Sequence, residues 1–335
     1  MPVLAKSTYQ RPGFFRGGHW QTIYSPVFRR VAGVAFLRER LVTPDDDFLD
    51  LDWIRTKPAN QRLVILCHGL EGSSDSVYIR GMSRAFMQEG RDVLAWNYRG
   101  CSGEPNRKAF SYHSGATYDL ETVVAYVVAL KQYTDIALVG FSLGGNLILK
   151  YLGEPGNPMK KHIRRAAVFS VPCDLKACAE KLAWPENRLY NWRFITELSA
   201  KLRDKKKLFP DEIDLKPLKQ VRNLRDFDDA YTAPLHGFKD ALDYWTRCSS
   251  NQFISGIRVP TLLVNARNDP FLTPRCLPFR EAASNDRVIF ESPQEGGHVG
   301  FMQFQGDRMF WQERRAVAFI EYDNEIDTTP QAHSI

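Results

Sequence analysis

Hydrophobic and polar positions change period several times along the chain. Phe36–Thr43 and Phe48–Arg55 alternate apolar and polar residues on either side of Pro44-Asp45-Asp46-Asp47, a pattern that predicts a hairpin with an acidic turn. Alternation then gives way to short continuous apolar runs, Leu63–Cys67, Val93–Trp96, Ile136–Val139 and Ala166–Phe169, as expected of strands buried on both faces. Helical stretches fill the gaps over Val77–Glu89, Thr117–Tyr133 and Leu143–Leu152, and Gly90 gives the first of these a stop. The pattern resumes with Thr261–Asn265, a helix near Pro274–Ala283, Val288–Glu291 and a final helix from about Asp307 to Glu321. Such alternation specifies an α/β fold, a mostly parallel sheet with helices on both faces.

Between Cys173 and Asn251 the alternation stops. This stretch is helical in character and rich in aromatic residues, with Phe194, Leu198 and Leu202 spaced to line one helix face. Falling between two strands, residues 174–250 are expected to form a helical cap over the sheet's ligand-binding edge. Residues 1–173 and 251–335 then form the core, with an N-terminal arm and the hairpin. The basic run Lys201, Arg203, Lys205, Lys206 and Lys207 in the cap reads as a solvated helix face, or as an attraction to anionic lipid.

Composition narrows the class without naming a function. The chain has 335 residues, 44% hydrophobic and 25% charged, enough to bury a large core and too apolar for disorder. A net charge of +6 is too small to imply nucleic acid. Six cysteines lie scattered, without zinc-ligand spacing, so neither a metal nor a disulfide framework is expected. Residues 1–10 lack the apolar stretch of a signal peptide, and no apolar run approaches the roughly 20 residues that span a bilayer. A reducing cytoplasm is the expected setting, with peripheral membrane contact open.

Candidate chemistry begins at Gly140-Phe141-Ser142-Leu143-Gly144, which follows one apolar strand and opens a helix. This G-x-S-x-G spacing in a strand–turn–helix context lifts a serine above the sheet edge, at a helix N-terminus that favours a developing oxyanion. A serine nucleophile needs a base, and the base an orienting acid. Asp269 follows the strand Thr261–Asn265, and His298 lies in a glycine-rich loop after Val288–Glu291, giving the chain order Ser, Asp, His. Asp174, after the preceding strand, is the rival acid. His68-Gly69-Leu70 follows the first buried strand, so the backbone N–H groups of Leu70 and Leu143 are the expected oxyanion donors. Arg99 could bind an anion or, bonded to carbonyls, hold a turn. His19 and Trp20 could wall a pocket or belong to an arm packed on the core. Cys101 has no elbow and is a poor rival nucleophile.

Several longer strings carry a family resemblance. They include Gly17-Gly18-His19-Trp20-Gln21-Thr22-Ile23, His68-Gly69-Leu70-Glu71-Gly72-Ser73, Asn97-Tyr98-Arg99-Gly100-Cys101, Phe227-Asp228-Asp229, His236-Gly237, Asn268-Asp269-Pro270-Phe271 and Gly296-Gly297-His298-Val299-Gly300. Over nearly its whole length the chain resembles the YheT-type esterases of the α/β-hydrolase superfamily, related to plant embryo-specific and mammalian abhydrolase-domain proteins. The resemblance implies an α/β-hydrolase fold, with Ser142 as nucleophile, Asp269 as acid and His298 as base. It implies hydrolysis of carboxylic esters, by short-chain carboxylesterase or acylglycerol lipase activity, without cofactor. The same residues would serve acyl transfer to an alcohol or thiol, and a catalytically silent ligand sensor is a further alternative.

Overall fold

The computed structural model describes residues 3–4, 6–303, 306 and 309–321. A helix α1 (Gly18–Phe28) precedes the strands β1 (Leu37–Val42), β2 (Phe48–Ile54) and β3 (Arg62–Cys67). Then α2 (Val77–Gln88), β4 (Asp92–Asn97), α3 (Thr117–Ala129), β5 (Asp135–Phe141), α4 (Leu143–Gly153) and β6 (Ile163–Phe169) follow in alternation. After β6 come α5 (Leu175–Leu182), α6 (Arg188–Leu208), α7 (Leu224–Phe227), a π-helical turn Asp228–Thr232, α8 (Ala233–Leu235) and α9 (Ala241–Cys248). The chain returns to the sheet with β7 (Thr261–Val264), α10 (Phe279–Ala283), β8 (Val288–Glu291) and α11 (Trp311–Glu321). Expected elements and observed ones agree closely. The start of the final helix, expected near Asp307, falls partly outside the described residues.

Among the described residues, eight strands join one sheet in the order β1-β2-β4-β3-β5-β6-β7-β8. Only β2 runs against its neighbours, pairing antiparallel with both β1 and β4. From β4 to β8 every pairing is parallel. The continuous apolar runs are explained by this burial on both faces. In β3, Leu63, Ile65 and Cys67 join the core beneath α3 and α4, while Val64 and Leu66 join the core beneath α2 and α11. β4 and β5 divide the same way, as a two-residue side-chain period requires. Strand order reverses between β3 and β5, and at such a switch point the loops leaving the strands part to form a crevice.

One local element was not foreseen, and one local expectation needs correction. The N-terminal arm contains an 11-residue helix, α1, which periodicity did not reveal because its buried face is polar. Arg99 neither holds carbonyls nor lies free for an anion. It is buried against Asp119, Asp47 and Asp45, at 2.7, 2.9 and 2.8 Å, so α3 and the acidic hairpin turn together supply its counter-charge.

Candidate active site

Ser142 follows β5 at the switch point with φ 53° and ψ −120°, a conformation that L-residues rarely adopt. Backbone bonds hold it there: its N–H donates to Phe169 O at 2.9 Å, and its carbonyl accepts from Gly145 N at 2.9 Å and Asn146 N at 3.1 Å. The flanking glycines are a steric necessity. A Cβ on Gly140 would lie 2.6 Å from Gly144 O, and one on Gly144 would lie 2.4 Å from Cys67 O. Strand, turn and helix can approach this closely only without those carbons.

Asp269 and His298 reach the same point from the loops after β7 and β8. His298 Nδ1 lies 2.8 Å from Asp269 Oδ2, and Nε2 lies 3.0 Å from Ser142 Oγ. Asp269 is buried, and its other oxygen accepts from Phe271 N at 2.8 Å, so the carboxylate is fixed from both sides. The Phe271 ring packs on the imidazole, centroid to centroid 4.2 Å. The rival Asp174 is turned away: it caps α5 by accepting from Ala177 N at 2.9 Å, and pairs with Arg275 at 2.9 Å.

The histidine loop is tied down by residues far away in sequence. His298 N donates to Thr22 Oγ1 at 2.9 Å, and Gly296 N donates to Gln21 Oε1 at 2.9 Å. Asn268 Nδ2 donates to the same Gln21 oxygen at 2.9 Å, which joins the loop after β7 to the loop after β8 through α1. Ser170 Oγ accepts from Val299 N at 2.8 Å. A Cβ at Gly18 would strike Asn268 O at 1.9 Å, so α1 lies directly on the Asp269 loop. The string Gly17–Ile23 was the available signal for this role, though its spacing carries no chemistry of its own.

Leu70 and Leu143 line one cavity together with Ser142. Among the described residues, neither of their amides donates to a protein acceptor. His68 itself is fully buried beside them. Its Nδ1 faces Gly69 O at 2.8 Å and its Nε2 accepts from Tyr98 N at 3.2 Å. Burial pushes its pKa down to about 3, so it stays neutral and shapes the turn. Cys101 is equally unsuited to nucleophilic work, because burial pushes its thiol up to about 11.

The cavity holds about 140 Å³ and runs from Ser142 beneath the helices between β6 and β7. Phe194, Leu198 and Leu202 of α6 line it, as their spacing suggested, together with Leu182, Phe227 and Trp245. Its polar positions were not anticipated. The basic run does not form a uniformly solvated face: Lys201 and Lys205 turn inward and line the cavity, whereas Arg203 and Lys207 remain exposed. Lys201 Nζ donates to Glu71 Oε1 at 2.8 Å, an oxygen that also accepts from Tyr112 Oη at 2.7 Å. Lys205, 1% exposed, donates to the carbonyls of Asn106 and Lys108, and burial lowers its pKa to about 8. Asp228 opens onto the same space, accepts from Trp245 Nε1 at 2.8 Å, and is pushed up to about 7 by burial. No group of three or more His, Cys, Asp or Glu placed to hold a metal occurs among the described residues.

A parallel sheet with one reversed strand and a serine raised on a strained strand–helix turn defines a class before any comparison is made. The profile of the alpha/beta hydrolase fold family matches residues 62–305, and the chain belongs to that family. YheT of Escherichia coli (strain K12), named as an esterase, is 36% identical over 86% of this chain and 85% of its own. Phospholipase ABHD3 of Mus musculus is 30% identical over 84% of this chain and 70% of its own. The esterase Pf2001 of Pyrococcus furiosus aligns in structure with a TM-score of 0.57 at 18% identity, covering 86% of this chain and 91% of that one, a likeness of fold.

Proposed function

We propose that the protein hydrolyses carboxylic esters through an acyl-enzyme, with Ser142 as nucleophile, His298 as base and Asp269 as the orienting acid. The observation that carries this reading is the unbroken line Asp269–His298–Ser142 at 2.8 and 3.0 Å, ending on a strained serine. Ser142 Oγ attacks the ester carbonyl carbon while His298 Nε2 takes its proton. The alkoxide leaves with that proton, and water then attacks the acyl-enzyme by the same route. The amides of Leu70 and Leu143 would receive the oxyanion, aided by the N-terminus of α4. None of these steps calls for a cofactor.

Residues 174–250 act in this reading as a cap that supplies the apolar wall of the acyl site. The substrate class is a small ester or acylglycerol, and relatives named esterase, phospholipase and monoacylglycerol lipase support it. Six unpaired cysteines favour a reducing, cytoplasmic setting. Among the described residues, no helix is long and apolar enough to cross a membrane. A fluorophosphonate probe tests the central point: wild type should be labelled and Ser142→Ala should not. An unlabelled wild type would overturn the proposal.

A further inference from the structure

The helix α1 is amphipathic in the opposite sense to a helix facing water. Its buried side chains are Gln21, Thr22 and Ser25, committed in part to the acid and base loops. Its outward face carries Trp20, Ile23, Val27 and Phe28, all exposed. Trp20, Ile23 and Val27 stand at i, i+3 and i+7, which makes one apolar stripe. A second apolar group stands at the start of α6, where Leu189 and Trp192 are 72% and 67% exposed, with Trp184 just before them. The two meet at His19, whose ring stacks on Tyr190 at 5.7 Å and whose Nδ1 lies 3.2 Å from Tyr190 Oη.

Tryptophan makes the pattern specific. Of seven in the chain, Trp53, Trp96, Trp245 and Trp311 are buried, and the other three, Trp20, Trp184 and Trp192, all stand on these two segments. Charge adds a second, independent signal. The first 36 residues carry five Lys and Arg and not one Asp or Glu. Arg16, Arg30 and Arg188, which border the apolar face, are exposed and form no ion pair among the described residues. Indole rings bordered by unpaired arginines match the boundary between anionic headgroups and acyl chains.

We infer that the outer face of α1 and the start of α6 dock on an anionic lipid surface, in the plane of the headgroups. The basic run at 201–207 offers a weaker contact, since Lys201 and Lys205 turn inward to the cavity. The docking face lies next to the chemistry: rings pass contact from His19 to Tyr190, to Phe271 at 4.8 Å, and to His298 at 4.2 Å. Phe271 also lines the cavity beside Ser142, so a lipid ester drawn from the surface would be delivered close to Ser142. This delivery role rests on the ester-hydrolase reading, whereas docking itself does not.

Vesicle flotation tests it, with phosphatidylcholine vesicles with and without phosphatidylglycerol, using the full chain and Ser142→Ala. Both proteins should float with the anionic vesicles and lose most binding in high salt or on pure phosphatidylcholine. Trp20→Ser with Trp192→Ser should lower partitioning tenfold or more, and Arg16→Gln or Arg188→Gln about fivefold each. Unchanged melting temperatures would show these variants folded. The inference fails if wild type stays with the soluble fraction, or if the tryptophan variant floats like wild type. It also fails if sedimentation shows the face buried in a stable dimer that the same substitutions dissociate. Floating Ser142→Ala beside a wild type that no fluorophosphonate labels would sink the hydrolase reading and leave docking standing.

Discussion

The sheet edge and the helices that cover it solve different problems. At the edge, Ser142, Asp269 and His298 sit in loops tied by local amides and by two segments distant in sequence, α1 and the end of β6. Asp269 is fixed by Phe271 N, His298 by Thr22, its neighbour Val299 by Ser170, and the Ser142 backbone by β6. Beneath α5–α9, most of the cavity wall is instead apolar side chains grouped in three small clusters. Fixed geometry suits a proton relay, in which a displacement of about 1 Å can cost a hundredfold. Apolar packing suits a surface that accepts acyl chains of different shape, because hydrophobic contact is not directional. The comparison therefore predicts large, sharp losses at the edge and graded ones in the cap.

The largest effect should come from Ser142→Ala, with turnover of a p-nitrophenyl ester falling about 10⁵-fold or more. Asp269→Asn should lose about 10⁴-fold by presenting the wrong imidazole tautomer. Asp174→Asn, which keeps a capping oxygen for α5 and loses the ion pair with Arg275, should change turnover by less than about threefold. A crippled Asp174→Asn beside an active Asp269→Asn would reverse the assignment of the acid.

Next in size is the tether between α1 and the base loop. Thr22→Val removes the acceptor for His298 N, and Gln21→Leu removes the oxygen shared by Gly296 and Asn268. Neither residue touches the reacting atoms. Each should lower kcat about 10- to 100-fold while leaving KM within about twofold, and fluorophosphonate labelling should slow in parallel. A fall in KM performance alone would place these residues in substrate binding and blur the contrast between the regions.

How far the sequence foretold the molecule follows the same division. Strands buried on both faces produce continuous apolar runs, so β3 to β8 were legible. The serine turn was legible because sterics allow only glycine at two flanking positions. Asp269 and His298 could be placed because each follows a strand whose end must reach the sheet edge. Gln21 and Thr22 were not, since a tether made of ordinary hydrogen bonds has no spacing rule. The inward turn of Lys201 and Lys205 was hidden too. A lysine run looks the same whether its ammonium groups meet water or, as here, Glu71 and the carbonyls of a neighbouring loop.

In the cap, prediction becomes graded. Phe194→Ala and Leu198→Ala should widen the cavity beside Ser142. Over p-nitrophenyl esters of rising chain length, the optimum should move to longer chains, with kcat/KM ratios changing about 10-fold, as one or two methylenes in an apolar pocket allow. An unchanged profile would remove the cap from the acyl site and leave only its role as a cover.

The smallest effect tests the one acidic side chain in the cavity wall whose affinity for a proton is strongly raised. Burial lifts the Asp228 carboxyl to about 7, with Asp229 adding to the rise, while donors from Trp245 and Thr232 oppose it. A free aspartate titrates near 3.9, so between about pH 4 and pH 7 the folded state binds a proton that the unfolded state releases. The contribution to stability is thus whole below about pH 4 and is lost as pH rises through 7. His236, on the same wall, is held down at about 4 by burial and stays neutral across most of that window. Asp228→Asn keeps an acceptor for Trp245 and cannot ionise. Relative to wild type it should gain stability on the order of 1 kcal/mol between pH 4 and pH 8, discounted for the water that reaches the cavity. Urea melts of both proteins at the two pH values measure that difference. A variant whose deficit or gain is the same at both would mean that Asp228 is already ionised in the fold, and that the cavity wall carries a full negative charge toward its substrate.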